Sequence, residues 1–200
     1  MTVKEFALET LGHRRISRLN FRYGPILIYP AGYSRDVAKL IEDGHILFDT
    51  NEGAHYTVDS QPGEHHHMAL PKQNIDSPVP TRNAGHLQVL PNLGRIGGAQ
   101  FRMTVVHEST HALQDYQRNQ TDPEMAEGAA YLAGWITCLL WNHPRLEPGV
   151  TPTTAHAYAR QLAGDFLDSR IGYIIAERAI ERLNGMVLTG AASRYVFNGI

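Results

Sequence analysis

The segment Val105-Val106-His107-Glu108-Ser109-Thr110-His111-Ala112-Leu113 decides how this chain is read. Its centre is H-E-x-x-H. On an α-helix, positions i and i+4 stack on one face, so both imidazoles can reach one metal ion. Glu108 follows His107 directly, so its carboxylate can stand beside a bound ion rather than on it, where it can deprotonate an attacking water. The chain holds 11 histidines in 200 residues. Composition alone would produce this pattern about 0.03 times in such a chain. The apolar residues flanking it suit a buried helix with a polar notch.

Such a site needs a third protein ligand and an open position. Positions 114 and 117 are both glutamine, so the extended H-E-x-x-H-x-x-G-x-x-H signature is absent and the ligand lies elsewhere. Downstream, Pro123-Glu124-Met125-Ala126-Glu127-Gly128-Ala129-Ala130-Tyr131 reads as the start of a second helix, with Asp122 as N-cap and Pro123 at the first helical position. The connection is short, which makes the two helices antiparallel neighbours. Small residues at 128–130, 133 and 134 permit close approach. Glu127 and Glu124 compete as ligand. Glu124 sits in the first turn, where an acid also favours the helix dipole; Glu127 lies one turn deeper and is preferred.

Around the motif, further residues have two readings each. Asp115 is either a hydrogen-bond partner for His111 or a helix-surface acid. Tyr131 is either a core tyrosine or a donor toward the site. Trp135, Trp141 and Cys138 read as core. His65-His66-His67 reads as an exposed loop in which neighbouring side chains diverge. The remaining six histidines, His156 among them, show no informative spacing. Gly94, Gly97 and Gly98 do not form a phosphate loop and serve to turn the chain into the first long helix.

The rest of the chain sets the frame. Residues 1–21 suggest a short helix or irregular arm carrying Arg14, Arg15 and Arg18. Tyr23–Gly32 reads as a buried strand, Ser34–Gly44 as a helix capped by Ser34 and Gly44, and 45–50 with 54–60 as two strands joined by Asn51-Glu52-Gly53. Residues 67–72 and 86–91 are short extended pieces. Helices are expected over about 97–118, 123–142 and two more across 153–184. Strands first and helices second, without βαβ alternation, predict an α+β fold in a single domain over 1–200, strand-rich through 99 and helical from 100 to 184.

A net charge of −2 excludes a strong electrostatic footprint for nucleic acid or anionic membrane. One cysteine excludes an internal disulfide framework. No signal peptide is visible, and the most apolar run, 129–141, is too short to span a bilayer. A cytoplasmic protein is the simplest expectation.

HESTHALQD (107–115) with AEGAAYLAG (126–134) resembles the gluzincin metallopeptidases, whose third zinc ligand is a glutamate on a downstream helix. The resemblance covers residues 103–135. It implies zinc held by His107, His111 and Glu127, with Glu108 as general base and a peptide or protein as substrate. It also implies a zincin-like core: a small mixed sheet from the N-terminal strands, with an edge strand near 67–71 holding extended peptide. Two other readings stay open, a catalytically silent zinc-binding interaction module and a regulator-cleaving or toxin-type metalloprotease.

Overall fold

The computed structural model describes residues 3–51, 55–58, 66–71, 93–119 and 121–187. Helices dominate, with two small sheets, so the α+β expectation holds at that level. Helix α1 (Val3–Gly12) buries Phe6, Ala7 and Leu11. The ring of Phe6 packs on Phe101 at 4.9 Å. The N-terminal segment is thus part of the core rather than an arm. Arg15 stacks over Trp141, and Arg102 lies over Phe6 and Trp141 while pairing with Glu9 at 2.6 Å. Cationic stems therefore cover the half-buried Trp141.

The apolar run expected as one strand is part of a hairpin. β1 (Phe21–Tyr23) pairs antiparallel with β2 (Ile26–Ile28), Phe21 opposite Ile28 and Tyr23 opposite Ile26. Gly24 opens the two-residue turn at φ +58°, a conformation that favours glycine, and Pro25 completes it. After the hairpin, Gly32–Val37 forms a π-helical turn that continues into α2 (Ala38–Glu42). Ser34 is not its cap. It sits inside the helical stretch, donating its hydroxyl to the Pro30 carbonyl at 3.1 Å. Gly44 does follow the helix end, at φ +80°.

β3 (Ile46–Asn51), β4 (His55–Val58) and β5 (His66–Pro71) form a mixed sheet in the order β3-β5-β4. β5 runs parallel to β3 and antiparallel to β4. The segment expected as an edge strand is therefore central, and the two strands expected as neighbours flank it. Alternation alone does not reveal strand order, because the third strand can insert between two that are consecutive in sequence. His66 and His67 belong to β5 rather than to a loop. The extended piece at 86–91, the turn at Glu52 and Gly53, and His65 lie outside the described residues.

Among the described residues of the second half are four helices: α3 (Leu93–Tyr116), α4 (Pro123–Leu140), α5 (Ala155–Leu167) and α6 (Glu177–Asn184). Gly94 and Gly97 lie within α3, so the helix begins before the turn they were expected to make. Thr154 caps α5, accepting from the Ala157 N–H at 3.2 Å. Asp122 precedes α4 as expected, but its backbone carbonyl, not its side chain, takes the free N–H groups of Met125 and Ala126.

α3 and α4 pack antiparallel. Gln114 reaches the Ala126 carbonyl at 3.1 Å at one end, and Gly134 faces Met103 at the other. A Cβ on Gly134 would lie 3.1 Å from both the Met103 carbonyl oxygen and Met103 Cγ. Backbone cannot swing aside as a side chain can, so glycine sets this spacing. On the opposite side, a Cβ on Gly128 would collide with the Tyr23 hydroxyl and Asn184, which bond each other at 2.7 Å. α3 is braced from behind by the π-helical turn, where Tyr33 and Thr110 share a hydrogen bond at 2.8 Å and Gly32 abuts Leu113.

Gly134→Val should lower unfolding free energy by about 1–3 kcal/mol in urea titration through overpacking. Gly98→Ala, with nothing within 4 Å of the added Cβ, should leave stability unchanged or raise it by up to about 1 kcal/mol. Equal effects at the two positions would contradict the tight α3–α4 contact.

Candidate metal centre

His107 and His111 lie one turn apart on α3, and Glu127 reaches them from the second turn of α4. The two imidazole Nε2 atoms are 3.4 Å apart. His107 Nε2 lies 3.3 Å from Glu127 Oε2, and His111 Nε2 lies 3.4 Å from Glu127 Oε1. These three residues form a group that could hold a metal ion. Donors at about 2.0–2.1 Å from zinc on a tetrahedron stand about 3.3–3.4 Å from one another, so the spacing fits that chemistry. Glu124 is half-buried in the first turn of α4 and is not a member of the group.

The three side chains differ in access. His111 is fully buried, Glu127 nearly so, and the His107 side chain keeps 17% of its surface open. His107 faces a cleft of about 250 Å³ lined by Met103, Thr104, His107, Glu108, Tyr131 and His156. Glu108, only 3% exposed, thus shares the cleft with His107 without joining the donor triangle.

Electrostatics follow from burial and pairing. Desolvation alone would raise the Glu127 carboxyl, but hydrogen bonds from His107 and His111, and their charge, hold it well below the ordinary carboxylate range. Desolvation alone would lower His107. Its hydrogen bond to Glu127, the charges of Glu108 and Glu127, and a backbone hydrogen bond at Ala130 outweigh that and keep it above its ordinary value. Burial raises the Tyr131 hydroxyl, and Glu127 and Glu108 raise it further, so it stays a protonated donor at neutral pH.

Several neighbours take places the sequence left open. Tyr131 is not simply a core residue: its ring meets His107 edge-on at 5.0 Å within the cleft. Asp115 is fully buried, which removes the helix-surface reading. Trp135 is buried as expected. Cys138 is buried, and burial pushes its thiol up to about 12, so it is no nucleophile at neutral pH.

His156 is the residue that sequence reasoning missed. It is the second residue of α5, and its ring meets Tyr131 at 4.6 Å. Its Nδ1 accepts the Trp135 indole N–H at 3.3 Å. Desolvation against these rings, and the neighbouring His107, push it below its ordinary value. A partial signal existed: Glu127, Tyr131 and Trp135 recur at i, i+4 and i+8 and mark the α4 face toward the site.

Comparison of the chain with protein-family models, curated proteins and solved structures gives no match. No described helix is long and apolar enough to cross a membrane.

Linkage sets the sign of the pH dependence. In the metal-free protein, the raised His107 contributes stability below its ordinary 6.5 that is lost as pH rises through its folded value. The depressed Glu127 contributes stability above its ordinary 4.5 that is lost only as pH falls through its much lower folded value. Metal binding requires both imidazoles deprotonated, so it strengthens as pH rises. The zinc-induced increase in Tm should therefore grow from about pH 6 to about pH 8. It should vanish in His107→Ala, His111→Ala and Glu127→Ala and persist in Glu124→Ala. A zinc effect that survives Glu127→Ala but not Glu124→Ala would reassign the third ligand.

Proposed function

We propose that this chain is a zinc-dependent hydrolase that cleaves peptide bonds. The observation that carries the reading is the His107-His111-Glu127 donor triangle, with Glu108 beside His107 in the cleft. The gluzincin resemblance of residues 103–135 supports the same ligand set and the same base. Zinc, when bound, would supply Lewis acidity toward a substrate carbonyl and bring the pKa of a coordinated water to about 7.

The chain's own residues do the rest. Glu108 accepts a proton from the attacking water as the water oxygen bonds to the carbonyl carbon. The carbon–nitrogen bond then breaks, and Glu108 returns the proton to the departing amine, so one water is consumed per bond cleaved. Tyr131 keeps its hydroxyl proton and can donate across the cleft to the substrate. Near-complete burial keeps Glu108 away from bulk water, and a carboxylate so placed has its strongest interactions with the reacting groups.

Glu108→Gln keeps the size and the hydrogen-bonding reach of the side chain but cannot take the proton. Cleavage of internally quenched peptides by the zinc-loaded variant should fall at least about 10²-fold in kcat. Zinc content should stay at that of the wild type, because Glu108 is not a ligand. Full activity in Glu108→Gln would overturn the mechanism.

A further inference from the structure

The contact between Trp135 and His156 carries information beyond the metal group. An indole N–H can only donate. Its partner here is His156 Nδ1, at 3.3 Å, so that nitrogen must accept and carries no proton. The neutral ring then keeps its proton on Nε2. Trp135 is buried, and the His156 ring, itself partly open to solvent, lies edge-on against both Trp135 and Tyr131. His156 also stands in the first turn of α5, where the positive end of the helix disfavours an imidazolium.

This matters for the sense of the hydrogen bond the ring can make in the cleft. A carboxylate at Nδ1 would hold a proton there and leave Nε2 as an acceptor, which suits a base. The indole does the reverse and leaves Nε2 as a donor. Glu108 already supplies the acceptor in this cleft. What a peptide carbonyl needs as negative charge develops on its oxygen is a donor.

The geometry points to Trp135 as a positioning residue that fixes His156 as a neutral N–H donor to the carbonyl oxygen of a bound peptide. This rests on the hydrolase reading above. Tyr131 and His156 are the side chains of the cleft that offer hydrogen-bond donors in this role, and Glu108 is the acid that lines it with them. No proton changes hands at His156 in this role: the ring donates a hydrogen bond and keeps its hydrogen.

The test pairs a tautomer measurement with kinetics. Nitrogen-15 NMR of histidine-labelled, zinc-loaded protein should show His156 protonated at Nε2 and bare at Nδ1. Trp135→Phe, which removes the indole N–H and keeps an aromatic ring, should mix the tautomers without lowering zinc content. With an internally quenched peptide, His156→Ala should lower kcat by about 10²–10³-fold, the usual cost of one such donor, with little change in KM. His156→Gln, whose side-chain amide can donate, should recover part of the loss. Trp135→Phe should lower kcat by less than His156→Ala. A proton found on Nδ1 in the wild type overturns the assignment whatever the kinetics. Full kcat in His156→Ala alongside an inactive Glu108→Gln overturns the donor role and leaves the hydrolase reading standing. Absence of cleavage by the zinc-loaded wild type, or full activity in Glu108→Gln, overturns the hydrolase reading and the donor role with it.

Discussion

The metal group exists because α4 can lie almost against α3. Glu127 spans the gap between helices only if the backbones approach closely, and Gly134 against the Met103 carbonyl leaves no room for a side chain between them. A glutamate side chain has limited reach, so a helix held off by an ordinary side chain would leave its carboxylate short of the imidazoles. The other elements enforce that contact. The π-helical turn backs α3 through Tyr33 and Gly32, while Tyr23 of β1 and Asn184 of α6 press α4 from its far side at Gly128. Replacing any of these contacts acts on the site through the spacing of two helices rather than through chemistry.

Such packing places polar groups where an apolar core would be cheaper. His111 has no exposed surface and Glu127 very little. Burying an ionised carboxylate costs several kcal/mol unless hydrogen bonds and opposite charge offset it. In the metal-free protein the offset comes from the imidazoles themselves, which is why Glu127 is held down and His107 held up. The same three groups that compensate one another when empty present unshared electron pairs to a cation once the protons leave. In a donor set arranged in this way, a bound metal ion would add to the stability of the fold.

Much of the helical half could be read from residues alone. The two-histidine spacing, the Asp122-Pro123 start of α4 and the Thr154 cap all depend on contacts within one helix or one turn, where sequence separation and spatial separation agree, and the preference for Glu127 over Glu124 needed only the short connection that sets α4 beside α3. Glu127 and Tyr131 share a face because the helix repeats every 3.6 residues. What escaped was long-range. That β5 inserts between β3 and β4 depends on pairing between distant segments. That His156 reaches the cleft depends on α5 docking over α4, and nothing near His156 announces it. Of the two readings of the first 21 residues, the short helix holds and the arm does not, and the polar composition left open that its narrow side, with Phe6, Ala7 and Leu11, packs into the core. Ser34 stands just before the Val37, Leu40 and Ile41 stripe, where a cap belongs, but the π-helical turn begins at Gly32 and places it inside the helical stretch.

We propose that His107, His111 and Glu127 hold one zinc ion and leave a position open. X-ray absorption at the zinc edge of the loaded protein tests it directly. The expected spectrum is that of a four-coordinate ion with two imidazole nitrogens and oxygen neighbours at about 2.0–2.2 Å and no sulfur. Loss of one imidazole from that shell in His111→Ala should accompany weakened binding. A six-coordinate shell of oxygens, or a sulfur neighbour at about 2.3 Å, would contradict it.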